Sequence, residues 1–132
     1  MKGLDTNVLV RYIVRDDKKQ AERASAYIRK ATEPGKICFI NCVVFCELVW
    51  VLESAYEYSK NEITLVLEKI LMIKQFEIET KDIVRQAVQD YLNGKGDIAD
   101  YLIGRINHVR GCEITATFDR NLKNNSNFVV LD

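Results

Sequence analysis

Short β-prone runs alternate with helical patterns along this whole chain, and that order constrains the fold more than composition does. A strand near Lys2–Asp5 leads into the helical run VLVRYIV, and KKQAERASAYIRK (Lys18–Lys30) sets Ala21, Ala24 and Ile28 on one helical face before Glu33-Pro34-Gly35 ends it. The strand KICFI follows, and Asn41 is placed to cap a long apolar helix from Cys42 to Tyr56. Asn61 is read as the cap of a helix bearing Ile63, Leu67, Ile70 and Leu71; Phe76–Glu79 alternates as a strand, and Thr80 opens a helix with Ile83, Ala87, Val88 and Tyr91. Asn93-Gly94-Lys95-Gly96 stops that helix, another runs from Asp97 to Arg110, and Glu113–Phe118 and Phe128–Leu131 read as the last strands, with a turn at Asp119-Arg120-Asn121 between them. Strand and helix in alternation specify an α/β fold with a mainly parallel sheet.

At 132 residues the chain is expected to form a single domain, residues 1–132, because roughly 100–200 residues commonly share one core. No apolar run approaches the roughly 18 residues that span a bilayer, and Asp5 interrupts the region where a secretion signal would be apolar. The expectation is a soluble, cytoplasmic protein with no membrane partner. Nineteen basic residues balance nineteen acidic ones, so any nucleic-acid binding must come from a local patch. Cys38, Cys42 and Cys46 recur every four residues in an apolar stretch, without the CxxC-like spacing of zinc pairs, and Cys112 stands apart; all four are read as core cysteines.

Within CVVFCELVWVL, Glu47 is the only charged side chain, flanked at helical spacing by Val43, Val44, Trp50 and Val51, so its face is expected to be buried. A buried carboxylate without a partner costs several kcal/mol or takes up a proton, which points to a cation or to a salt bridge from elsewhere. Asp5 and Asp119 each follow a strand, and Asp97 and Asp100 share a face at a helix start. Capping explains each of these aspartates singly. Ligand sites in open α/β sheets also gather beyond the carboxyl ends of strands, so both readings predict the same positions. Glu47, which capping does not explain, favours an acidic cluster. Clustered carboxylates repel one another, and Mg²⁺ or Mn²⁺, one or two ions, suit an oxygen-only ligand set and phosphodiester chemistry.

These motifs resemble the PIN domain family and, within it, the VapC-type toxins of toxin–antitoxin pairs, over essentially the whole chain. LDTNVLVRYI is similar to the family's first motif, with Asp5 its acid and Thr6 and Asn7 in support; Glu47 in CELVWVL is similar to the second. DIADYLIG resembles the third, with Asp100 the ligand and Asp97 an accessory acid, and TATFDRNL the fourth, with Asp119 and the hydroxyl of Thr117. The resemblance implies a compact three-layer α/β/α domain, Mg²⁺- or Mn²⁺-dependent endonuclease action on RNA, inhibition by a small cognate antitoxin protein, and a homodimer. It implies that Asp5, Glu47 and Asp100 hold metal, that Asp119 serves a second ion or the attacking water, and that Thr6 and Thr117 orient carboxylates by hydrogen bonds. Arg11, Arg105, Arg120 and Lys123 are candidates for RNA phosphates.

Two other readings compete. An aspartate-nucleophile phosphohydrolase would want an acid two residues after Asp5, where Asn7 stands. A catalytically silent RNA-binding or dimerisation module would not need the acids intact. His108, the single histidine, lies near the end of a helix and supports no Ser/His/Asp or Cys/His nucleophile. Tyr27, Trp50, Tyr56 and Met72 are read as core or dimer surface.

Overall fold

The computed structural model describes residues 1–132 throughout. It resolves into two compact units, Met1–Lys81 and Asp82–Asp132.

In the first unit β1 (Lys2–Gly3), β2 (Cys38–Ile40) and β3 (Phe76–Ile78) form a parallel sheet in the order β1-β2-β3, with Lys2 opposite Cys38 and Ile40 opposite Ile78. A pair of helices makes each crossover: α1 (Thr6–Val14) and α2 (Lys18–Ala31), then α3 (Cys42–Ser54) and α4 (Lys60–Met72). Parallel neighbours require such long connections, which is why sequence alternation and sheet direction agree. The caps are local. Asp5 begins α1, Asp17 accepts the Gln20 N–H at α2, and Asn41 accepts the Val44 N–H at 2.9 Å. Glu79, just after β3, accepts the Cys42 N–H at 2.8 Å, placing a carboxylate beside the Asn41 amide at the positive end of α3.

Ser59, not Asn61, caps α4. Its hydroxyl receives the Glu62 N–H while Glu62 accepts the Ser59 N–H, so Asn61 falls inside the first turn. The two reciprocal bonds satisfy two orphan donors where Asn61 could satisfy one. Ala21, Ala24 and Ile28 are buried along α2 as their spacing requires, and Phe45, Leu48 and Leu52 of α3 are wholly enclosed. Each of those three contributes roughly 1.5–3 kcal/mol on burial.

The second unit carries α5 (Lys81–Asn93), which begins at the boundary, α6 (Ile98–Val109), β4 (Thr115–Thr117), a single 3-10 turn at Arg120–Leu122 and β5 (Phe128–Val130). Strands β4 and β5 pair in parallel, Thr115 against Phe128 and Thr117 against Val130. Every strand pairing in the chain is therefore parallel, the α/β pattern its sequence specifies. Along α5 the buried stripe is Val84, Ala87, Val88 and Tyr91, with Val84 taking the inward place expected of Ile83. No helix is long and apolar enough to cross a membrane.

Two expectations of burial, for Glu47 and for the cysteines, are overturned. Glu47 is exposed, and so are its neighbours Val43 and Trp50, each 67% accessible. Helix α3 is apolar nearly all round, but only the stripe Val44, Phe45, Leu48, Val49 and Leu52 enters the core, and Glu47 lies on the other side. Of the residues read as core or dimer surface, Tyr27, Trp50 and Met72 lie outside the core and Tyr56 is half-buried. Of the cysteines only Cys38 is buried; Cys42 and Cys46 are half-buried, Cys112 is exposed, and all four thiols are free.

Candidate functional site

Each unit holds acidic side chains fixed by neighbouring backbone. In the first, the chain leaves β1 through buried Leu4 and turns into α1 at Asp5, an exposed residue. Asp5 Oδ1 accepts the Thr6 N–H at 2.8 Å. Thr6 is 7% exposed, and its hydroxyl donates to Glu47 Oε1 at 2.8 Å. One threonine thus touches two carboxylates, the first through its backbone and the second through its side chain. Neither acid makes an ion pair. Their fixed and free oxygens suit a hard cation, which accepts carboxylate oxygens without requiring burial.

Asn7 is exposed and lines a cavity of about 580 Å³ with Asp5 and Arg11. Arg11 is less available than its sequence suggests. It pairs with Asp16 at 3.0 Å, and Tyr56 donates its hydroxyl to the other Asp16 oxygen at 3.0 Å. The Tyr56 hydroxyl, with Arg11, holds the Asp16 carboxyl below its ordinary range. Arg11, Asp16 and Tyr56 form a polar network on the surface of the unit that sequence patterning gave no sign of.

In the second unit Asp97 begins α6. Asp100 Oδ2 accepts the Asp97 N–H at 3.1 Å, as part of a capping box between the two residues. Asp100 is half-buried, and burial raises its pKa; the charges of Asp97 and Asp119 push the same way, against the Asp97 N–H. The structure therefore brings Asp97, Asp100 and Asp119 within electrostatic reach of one another. A divalent cation relieves that repulsion, so this donor set also fits one. Within neither unit do three or more His, Cys, Asp or Glu side chains close up into a ready-made metal cage.

Asp119 caps the 3-10 turn, its Oδ1 accepting the Asn121 N–H at 2.9 Å. Thr117 supports it differently from expectation: its hydroxyl accepts the Asp119 N–H at 3.1 Å and so fixes backbone, not carboxylate. Arg105 is engaged by Asp90 through two bonds, 2.8 and 2.9 Å, and reaches Gln86 at 3.4 Å. Arg120 and Lys123 stand exposed at the turn.

Tyr101 is the residue of this region that sequence reading passed over. Its phenol is 3% exposed and accepts the Gly96 N–H at 2.8 Å. A Cβ at Gly94 would collide with that hydroxyl, and one at Gly96 would come within 2.7 Å of Leu122. The NGKG run therefore does more than end α5: its glycines let the loop backbone lie against a buried ring. The available signal was a pair of glycines bracketing a lysine, five and seven residues before a tyrosine.

A carboxylate directly after the first strand of a parallel α/β unit, an acid on the helix after the second, and two further acids around a helix start and a strand end define a class. The profile of the PIN domain family matches residues 3–127, across both units, and the chain belongs to that family. It is similar to a VapC ribonuclease from Aquifex aeolicus (strain VF5), with 29% identity over 123 residues, 93% of this chain and 90% of that protein.

Proposed function

We propose that the chain is a divalent-metal-dependent endoribonuclease, the toxin of a type II toxin–antitoxin pair, with Asp5, Glu47, Asp100 and Asp119 as its catalytic acids and Asp97 as an accessory ligand. The single observation that carries the reading is the Thr6 bridge. A buried hydroxyl spent on the carboxylate of an exposed glutamate 41 positions away orients that oxygen, which an ordinary surface acid does not need. Membership of the PIN family and likeness to a VapC ribonuclease support the substrate class.

Bound Mg²⁺ or Mn²⁺, one or two ions, would polarise a phosphoryl oxygen and make its water more acidic. Asp5, Glu47, Asp100 and Asp97 would hold it. The chain itself does the positioning. Thr6 keeps Glu47 Oε1 and Asp5 Oδ1 in place, and Asp119, with Oδ1 occupied by the Asn121 N–H, has Oδ2 to accept from the attacking water. Arg120 and Lys123 attract the phosphate backbone. We further propose one functional domain over residues 1–132, cytoplasmic action, a small cognate antitoxin as inhibitor, and a homodimer. The exposed Val43 and Trp50 supply apolar area of the kind that self-association covers.

The test is cleavage of an RNA pool by the purified chain in Mg²⁺, in Mn²⁺ and in chelator, alongside Asp5→Ala and Glu47→Ala. Cleavage is expected with either metal, to vanish in chelator, and to fall at least a hundredfold in Asp5→Ala, as loss of a group that stabilises charge commonly costs about that much. Undiminished cutting in chelator or by Asp5→Ala overturns the reading. Binding without cutting under every condition would make the chain a silent RNA-binding module.

A further inference from the structure

The second unit contains a cavity of about 480 Å³ that the acids do not occupy. Its size is in the range of small-molecule sites, roughly 300–1,000 Å³. Tyr101 backs it, Lys95 comes from the loop between α5 and α6, and Arg120, Asn121, Lys123 and Asn124 come from the 3-10 turn and the segment after it.

Its charge is one-sided. The acid in its lining, Asp90, is held by the two-pronged pair with Arg105, and the pair is largely shielded, with side-chain exposures of 18% and 32%. Arg120 meets Asp132 only at 3.9 Å, with both side chains over 80% exposed, a contact of little strength. Lys95, Arg120 and Lys123 are thus a cationic surplus around a concave surface. The exposed amides of Asn121 and Asn124 lie among them. Cations alone fit any anion. Amides offering donor and acceptor together fit the edge of a nucleobase, and only an unstacked base can enter a cavity.

We propose that this cavity is a nucleotide subsite for single-stranded RNA, in which Lys95, Arg120 and Lys123 hold the phosphates flanking one unstacked nucleotide while Asn121 and Asn124 read its base. The proposal rests on the ribonuclease reading and deepens it. Asn121 donates its backbone N–H to Asp119 Oδ1, and the Asp119 N–H is in turn bonded to the Thr117 hydroxyl. A base gripped by Asn121 therefore sets which phosphodiester meets Asp119, so the cavity fixes the register of cleavage.

Three variants test this: Lys95→Ala, Asn124→Ala and Asn121→Ala/Asn124→Ala, each checked for folding by thermal melting. Cut sites are mapped on a random RNA pool, KM and kcat are measured, and binding of oligo-A, -C, -G and -U and of single-stranded DNA is followed by anisotropy over a salt series. The asparagine variants are expected to lose about tenfold or more of the wild-type base preference at one position of the cut site. Lys95→Ala is expected to raise KM with little change in kcat and to lower the salt slope by about one. Cut sites unchanged in Asn124→Ala and in the double variant, or a KM unchanged in Lys95→Ala, overturn the proposal, as does binding equally strong for every base and for DNA. If the wild type cuts no RNA, the ribonuclease reading fails separately. The binding series then decides the subsite alone, through base-dependent affinity that Lys95→Ala and Asn124→Ala reduce, or its absence.

Discussion

Thr6 gives its hydroxyl hydrogen to Oε1 of Glu47 across 2.8 Å, joining the start of α1 to the exposed side of α3. Because Thr6 is buried, replacing the hydroxyl by a methyl in Thr6→Val removes a bond to an ionised group and frees Glu47 to rotate. The expected cost is about 1–1.5 kcal/mol of stability, read by urea denaturation, and about a tenfold loss of RNA cleavage. Thr6→Ser should retain most of both. Loss in Thr6→Ser with none in Thr6→Val would mean that the methyl group, not the hydroxyl, matters here.

Asp100 makes the fold pH-dependent in a direction opposite to most carboxylates. Burial first, then the Asp97 and Asp119 charges, lift its pKa above the ordinary 3.8. The folded chain therefore favours the protonated acid, and the stability present below that ordinary value is lost as pH rises through the raised one. Asp100→Asn keeps an oxygen for the Asp97 N–H and removes the charge. In chelator it should melt above wild type at neutral pH, with the difference closing in acid, and Mg²⁺ should narrow it by stabilising the wild type. A neutral-pH melting point below wild type would sink this account.

The Arg105–Asp90 pair separates a structural role from an RNA contact. Arg105→Leu leaves a largely shielded carboxylate unpaired and should lower stability by about 1–3 kcal/mol, seen as an earlier denaturation midpoint. It also releases a negative charge beside Lys95, so RNA affinity should fall. Adding Asp90→Asn should restore that affinity. Persistent weakness in the double variant would show that Arg105 touches RNA itself.

Thiol chemistry should sort by environment. Burial pushes Cys46 up to about 11, with Cys42 adding to it, and burial also raises Cys38 and Cys42. Alkylation at about pH 8, followed by mass spectrometry, should mark exposed Cys112 well before the other three. First labelling at Cys46 would contradict the described environment.

Most of the order of elements was legible, because amphipathic spacing in α2 and the strand–cap–helix run around Asn41 are local signals. The cap of α4 was misplaced although Ser59 and Glu62 form a capping pair, since Asn61 is also a good capping residue and reciprocity shows only in three dimensions. Glu47 failed for a more general reason. An apolar helix surface states how much could be buried, not which side meets the core, so the burial that singled Glu47 out is an environment the residue does not have. Arg105 and Arg11 show the same limit, because a basic residue looks alike in sequence whether free or already paired. The cavity behind Asp119 was invisible because its parts lie on two separate loops, although the asparagine-rich run NLKNNSN marked one of them.

The packing of Tyr101 against the NGKG loop has a consequence for how such a chain can change over generations. Positions 94 and 96 are closed to any side chain by the ring and by Leu122, whereas the lysine between them projects from an exposed site that nothing in the fold restrains. Descendants can exchange that one residue without disturbing the helices on either side, so the grip on the phosphate backbone can drift while the scaffold stays fixed.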